Sequence, residues 1–455
     1  MSRFRCTARW LCLLVVAGCT RDDAMSRSTG PGDGLLPNAQ RLLGGPPGYQ
    51  TVAVQVPVAL RTPPFDITRL LTIPTSYAIA VVARVPGVRF LAVTPDNRLL
   101  ASVSGSGTIV LIRNNGSGQA IVSNFRTGLR SPHDLVFATI AGTTYLYFTE
   151  SHQVSRAPYL NGDLTMRASQ VVVGNLPDGQ TPGLGGYGHP LKNIALDGSG
   201  HLYVSIGSTC NVCLSDTQSS PVRASVYVYA ADGSGGRLYA RGLRNAEGLQ
   251  THPTTQGLYV VVNNRDQIPY PFNDGSGNYG RVFPGYVDDH PPDEFIGVRD
   301  GGNYGWPFCN PNPNTASGLD DMPFDDDYNM NQGGGVASCG LMDRVTRGIQ
   351  AHSAPLGMSL LQGTAIATYY REGALVSLHG SWNRSVPTGA KVAYFTWDPV
   401  MQRPSQQFDF ISGWNTGAGY WGRPVDAIVD PKGAILVSDD LSGTIYRMRQ
   451  TGPVP

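Results

Sequence analysis

The sequence predicts an all-β protein: a six-bladed β-propeller with long inserted loops over one face. Three observations carry this prediction: six similar strand-turn-strand units along the chain, a turn-dense composition, and the absence of any sustained 3.6-residue apolar period. The 455 residues include 56 Gly and 34 Pro with only 15% charged residues, and the 21 Tyr and 6 Trp suit sheet surfaces. A propeller can take a chain of this length as one domain. The formal net charge is +1 and no Lys/Arg run is present, which speaks against a nucleic-acid or membrane-surface role.

At the start, Arg3, Arg5 and Arg9 precede the apolar run Trp10 to Ala17, followed by Gly18-Cys19-Thr20. Residues 1–18 read as a lipoprotein-type signal peptide, with Val16-Ala17-Gly18-Cys19 as a bacterial lipobox; a plain signal peptide cut nearby is the other reading. The apolar run is too short to span a bilayer, so a lipid anchor on Cys19 would hold the protein to the membrane. The expected location is the periplasm or cell envelope, with a soluble protein once the anchor is removed. Residues 19–50, rich in Ser, Gly, Pro and Asn, read as a tether or edge segment. The propeller is expected over 51–455.

The six units begin at Arg89, His133, Pro190, Asn245, Pro355 and Arg423. No unit can bury the faces of its own small sheet, so the units are expected to pack as a closed ring. A β-sandwich is the competing architecture, but six spaced repeats are too many for one. The interval from about Asp266 to Ser353 is expected to be inserted loops.

Four cysteines remain beyond Cys19. In an oxidising compartment Cys210 with Cys213, and Cys309 with Cys339, are plausible pairs among three possible connectivities. Leu214 stands where a haem-attachment motif needs histidine, and two thiols without nearby histidines make a poor zinc site.

In a propeller, strand ends from successive blades surround the mouth of the central channel. Candidates at such ends are His189, with Gly185, Gly186 and Gly188 before it, then Arg244-Asn245, Asn263 to Asp266, His352, Arg384, Arg423, and Asp439-Asp440. Several arginines at one mouth need an anionic partner to offset their repulsion. The acidic run Asp288 to Glu294 reads as a solvated loop or, with Asn263, Asn264 and Asp266, as oxygen ligands for calcium. Asp320-Asp321 and Asp325 to Asp327 read as hydrated loop.

The segments GHPLKNIALDGSGHLYVSIGS (Gly188 to Ser208), RGLRNAEGL (Arg241 to Leu249), VNNRD (Val262 to Asp266), GGNYGWPFC (Gly301 to Cys309), HGSWNRS (His379 to Ser385) and GRPVDAIVDPKGAILVSDD (Gly422 to Asp440) occur in that order. Together they resemble the soluble pyrroloquinoline-quinone (PQQ)-dependent glucose/sorbosone dehydrogenase family over about residues 85 to 448. The resemblance implies a quinoprotein sugar dehydrogenase that oxidises an aldose or related sugar or alcohol and passes electrons to an external acceptor, a cytochrome or quinone. It implies that His189 is the general base and that Arg244 and Asn245 contact the quinone carbonyls. Arg423 would neutralise a cofactor carboxylate, Arg384 and Arg265 are further cofactor-binding positions, and Asp439 is an acidic neighbour. Ca2+ would bind through the backbone carbonyls of Asn264 and Arg265. Gly188 departs from the aspartate of glucose-oxidising members, and Asn263 to Asp266 resembles the sorbosone-type branch.

The chemistry agrees with the residues. Oxidising a hemiacetal or alcohol carbon needs a base for the O–H proton and a hydride acceptor that no side chain provides. No GxGxxG motif follows a strand and opens a helix, as a nicotinamide site would require. The alternatives are a calcium-dependent propeller hydrolase or lactonase, which needs carboxylates around an activated water, and a non-catalytic carbohydrate-binding propeller.

Overall fold

The computed structural model describes residues 48–114, 120–180 and 188–452. The signal peptide, Cys19 with its anchor, the tether up to residue 47, and Gly185 and Gly186 lie outside the described residues. Among the described residues no helix is long and apolar enough to cross a membrane.

Six antiparallel sheets form the blades, each starting where a sequence unit starts. Blade 1 comprises Leu91–Val93, Leu99–Val103, Thr108–Asn114 and Ala120–Arg126, and blade 2 comprises Leu135–Ile140, Thr143–Glu150, Gln153–Pro158 and Gln170–Val173. Blade 3 is Ile194–Leu196, His201–Ile206, Ser225–Ala230 and Arg237–Arg241; blade 4 is Ala246–Thr251, Leu258–Val262, Asp293–Val298 and Val345–Ile349. Blade 5 is Pro355–Leu360, Ala374–Leu378, Lys391–Asp398 and Arg403–Ile411. Blade 6 has Pro424–Val429, Ile435–Asp439 and Thr444–Gln450, completed by Tyr77–Arg84 from the other end of the chain. First strands of successive blades touch all the way round, from blade 1 to blade 6 and back. The exchanged strand covers the edge that blade 6 would otherwise present.

Burial explains the sequence pattern. The second strands Leu99–Val103, Leu258–Val262, Ala374–Leu378 and Ile435–Asp439 are buried at every residue, because a blade lies against each face. Such strands need no polar alternation, hence apolar runs such as LYVVV. Toward the edge, Tyr77–Arg84 alternates buried and half-buried residues.

Side-chain oxygens join the blades at the starts of the first strands. Ser102 Oγ accepts from Phe90 N (3.0 Å) and donates to the His133 carbonyl (2.5 Å). Thr149 Oγ1 bridges Asp134 N and the Lys192 carbonyl in the same way, and Ser438 Oγ bridges Asp426 N and the Arg89 carbonyl. Asp134 accepts from Leu135 N and Ile194 N, and Asp426 from Ala427 N and Leu91 N. These bonds satisfy backbone donors beside the channel and fix the spacing of the blades.

The interval from Asp266 to Ser353 holds more than loops. The third and fourth strands of blade 4 lie in it, Gly302–Asn303 pairs in parallel with the edge of blade 3, and Asp320–Met322 pairs with the edge of blade 4. Long insertions on either side of Asp293–Val298 separate the strands of blade 4 and obscure its repeat. Consequently Asp293 and Glu294, expected in a solvated loop, are buried in a strand. The disulfides are Cys210–Cys213 and Cys309–Cys339.

Candidate active site at the propeller mouth

The first strand of each blade starts, and the second ends, at the same face of the ring. Residues just before first strands (Arg89, His133, His189, Arg244, His352, Arg423) and just after second strands (Ser208 to Asn211, Asn263 to Asp266, His379 to Arg384, Asp440) therefore gather at one mouth. Topology alone brings together groups as far as 351 residues apart in sequence, as Arg89 Nη1 and Asp440 Oδ2 at 2.8 Å show.

His189 is held by blade 3. Its Nδ1 lies 3.0 Å from both the Ser208 carbonyl and Ser208 Oγ. Ser208 Oγ gives its own proton to the Cys210 carbonyl, so both partners of Nδ1 are acceptors and Nδ1 carries the hydrogen. Nε2 of the neutral ring is then a base, and no described residue donates to it. Burial, reinforced by the Arg244 charge, pushes the His189 pKa down to about 4. Gly207 makes the packing possible, since a Cβ there would lie 2.6 Å from His189 Cβ and 2.8 Å from Asn245 Oδ1.

Asn245 is buried, and its Nδ2 donates to Glu247 Oε1 at 3.3 Å. Glu247 Oε2 meets Nε2 of the fully buried His133 at 3.1 Å. Burial pushes His133 below the usual histidine range, against the opposing pull of Glu247. This network fixes which way the Asn245 amide faces.

Arg244 is buried and almost fully engaged. Nε donates to the Asn211 carbonyl (3.1 Å), Nη2 to Asn211 Oδ1 (3.0 Å) and Nη1 to the Asn264 carbonyl (2.6 Å), while Asp266 Oδ2 lies 3.6 Å from Nη2. Asp266 Oδ1 lies 3.6 Å from His352 Nδ1, so the carboxylate stands between Arg244 and His352.

Arg423 heads blade 6. Its Nε and Nη2 donate to the carbonyls of His379 and Gly380, its guanidinium lies 5.7 Å from the Tyr420 ring centre, and no described residue engages Nη1. Beside it Asp440 joins His379 Nε2 (2.9 Å) and Arg89. Burial opposes ionisation of Asp440, but the bonds and charges of His379 and Arg89 prevail and hold its pKa at about 2. Arg384 reaches the Val386 carbonyl and, at 3.9 Å, Asp289.

Two side chains expected at the cofactor are engaged elsewhere. The Arg265 side chain is not free for a cofactor: it is buried against Asp327 and bonds Asn329 Oδ1, anchoring the inserted segment. Asp439 does not face a ligand, because it accepts from Arg423 N, Ser442 N, Ser442 Oγ and Tyr446 OH beneath the mouth. The Asn264 carbonyl, expected with that of Arg265 to bind calcium, already accepts from Arg244 Nη1. In the acidic run Asp293 accepts from Asn264 N and Ala354 N, Glu294 Oε1 accepts from Asn264 Nδ2, and Glu294 Oε2 is buried without a partner among the described residues. Sequence reading missed Asn211, whose only signal was its place between two cysteines.

A six-bladed ring closed by the strand Tyr77–Arg84, with basic and imidazole groups around one mouth, defines the class of the protein. The chain belongs to the TrAA12-like family, whose model matches residues 72–451. Among solved structures it is similar to a Trichoderma reesei protein of Carbohydrate-Active Enzymes Family AA12, with 19% identity, a TM-score of 0.67, and 83% of this chain and 97% of that one covered. It is likewise similar to the PQQ domain of pyranose dehydrogenase from Coprinopsis cinerea in its holo form, with 18% identity, a TM-score of 0.65 and coverage of 83% and 97%. The apo form of the soluble aldose sugar dehydrogenase of Escherichia coli matches at 15% identity and TM-score 0.56, covering 82% and 99%. A curated, uncharacterized protein of Borreliella burgdorferi is 25% identical over 272 residues, 57% of this chain; the match spans 60% of that relative's length.

Proposed function

We propose that the protein is a PQQ-dependent oxidoreductase that oxidises an aldose or related sugar or alcohol, of the sorbosone type, and passes the electrons to an external cytochrome or quinone. The observation that carries this reading is His189: a ring whose Nδ1 hydrogen is held by Ser208, whose Nε2 is a free base, and which lies within the field of Arg244. The fold-level similarity to proteins described as PQQ-containing and aldose dehydrogenases agrees with it. An export signal with a lipid anchor on Cys19 would place the protein in the periplasm or cell envelope.

The donor set suits a flat, polyanionic quinone. Arg423 offers an unengaged Nη1, Arg384 adds charge, and Gly207 lets His189 and Asn245 lie close together. When bound, the quinone supplies the electrophile for the substrate's hydride. His189 Nε2 takes the substrate hydroxyl proton, and Ser208 steadies the imidazolium that results. Arg244 stabilises negative charge developing beside it, and Asn245, its amide fixed by Glu247, orients the ligand. The carbonyls of Asn264 and Arg265 would hold calcium, the former shared with Arg244 Nη1, and the ion would supply a Lewis acid beside the quinone. The hydrolase reading gains no support, because Asp266 and Asp440 at the mouth are each flanked by an arginine and a histidine.

The test is titration of the purified protein with PQQ, with and without calcium, following absorbance and dye reduction by a panel of aldoses that includes sorbosone. Saturable binding with sugar-dependent dye reduction is expected. No binding at micromolar cofactor would overturn the reading.

A further inference from the structure

After Ile206 the chain turns into Cys210-Asn211-Val212-Cys213, a loop closed by its own disulfide. The buried Asp216 carboxylate holds the loop again, accepting from Thr209 N and Thr209 Oγ1, both at 2.7 Å. Asn211 sits at the tip with nearly every polar atom in use. Its carbonyl accepts from Arg244 Nε and from Trp306 Nε1, both at 3.1 Å. Its Oδ1 accepts from Arg244 Nη2 (3.0 Å) and Asp266 N (2.8 Å), and its Nδ2 donates to the Asp266 carbonyl (2.8 Å).

An arginine on its flexible stem has many rotamers, and a guanidinium adds directed charge only where its plane is fixed. Here two oxygens of one residue grip two nitrogens of the fork, the arrangement that fixes a plane best. The Asn264 carbonyl takes the third nitrogen from the opposite side. The same asparagine ties down the backbone of Asp266, the carboxylate shared by Arg244 and His352. We propose that Asn211, stapled by Cys210–Cys213, is a positioning residue that locks the Arg244 guanidinium beside His189 and so pre-forms the quinone site. It reaches no reacting atom itself, and its catalytic consequence rests on the function proposed above.

The charged and polar groups acting on His189 are Arg244 and Glu247 from the start of blade 4 and Ser208 from its own blade. Displacing Arg244 removes the positive neighbour, so the His189 midpoint moves upward.

The experiment uses the full chain and three readouts: PQQ affinity by absorbance titration, His189 titration by NMR in the quinone-free protein, and the Arg244 Nε–H resonance assigned with Arg244→Lys. In the wild-type protein the Nε–H is expected as a resolved, slowly exchanging signal; a motionally averaged one overturns the proposal without any Asn211 variant. In Asn211→Ala the Nε–H keeps its backbone acceptor but the grip on Nη2 is lost, so its exchange quickens, the His189 midpoint rises, and PQQ affinity falls about tenfold or more. Asn211→Asp keeps both oxygens that grip Arg244, loses the Nδ2 donation to the Asp266 carbonyl, and is expected to retain the resolved Nε–H signal. An Asn211→Ala protein with the wild-type His189 midpoint and PQQ affinity overturns the proposal. If the wild-type protein takes up no quinone, the proposed function fails, and the NMR readouts still decide for or against the Asn211 lock.

Discussion

Arg244 Nη1 donates to the Asn264 carbonyl at 2.6 Å, so a guanidinium stands against the oxygen expected to bind calcium. A carbonyl oxygen carries two lone pairs, so an ion there would share the oxygen with Arg244 and meet the repulsion of its charge. Calcium alone is therefore expected to bind weakly, and to bind more tightly when an anionic quinone offsets the Arg244 charge. By linkage the quinone must gain the same factor from calcium. Calorimetric titration of calcium with and without PQQ measures this factor; equal affinities would sink the coupling.

His189→Ala is expected to abolish turnover while PQQ binding largely survives, because the imidazole is assigned a proton rather than the cofactor. A variant retaining wild-type kcat would remove His189 from the mechanism.

The acid limb of kcat/KM is expected well below the ordinary histidine value. Burial first, and then the Arg244 charge, push His189 down to about 4, so the neutral base persists as pH falls and activity declines only through that value. A limb centred near 6.5 would mean that the free enzyme's base is another group or an exposed histidine.

Gly207→Ala places a methyl 2.6 Å from His189 Cβ and 2.9 Å from its carbonyl. The expected result is a loss of roughly 1–3 kcal/mol in stability from overpacking, with kcat/KM falling by more than unfolding explains. Equal kcat/KM in the folded fraction would show that the base tolerates displacement.

Arg423→Ala is expected to weaken PQQ binding about tenfold and to leave folding nearly intact. The contact of Arg423 with buried Asp439 is made by its backbone N–H, which the substitution keeps. Unchanged affinity in the absorbance titration would exclude this arginine from the cofactor site.

Removing the Cys309–Cys339 bond, which closes a separation of 30 residues, is expected to cost about 3 kcal/mol. Because Arg244, His189 and Arg423 are anchored elsewhere, thermal stability should drop without a change in PQQ affinity.

The sequence by itself determined the six units and where each blade begins, because strand-turn-strand periodicity is a local property. It also marked His189, Arg244, Asn245 and Arg423 as strand-end groups. Blade 4 was only half legible, since its third and fourth strands lie beyond long insertions that break the repeat. What the tertiary structure alone decided is which of the polar residues remain available. Arg265 is buried against Asp327, Asp439 is consumed by Ser442 and Tyr446, and the Asn264 carbonyl already accepts from Arg244. The importance of Asn211 is likewise invisible in the chain, because its partners are 33, 55 and 95 residues away. Residue type and strand position are written locally, whereas the hydrogen-bond partner of a buried charge depends on which distant backbone the ring brings against it.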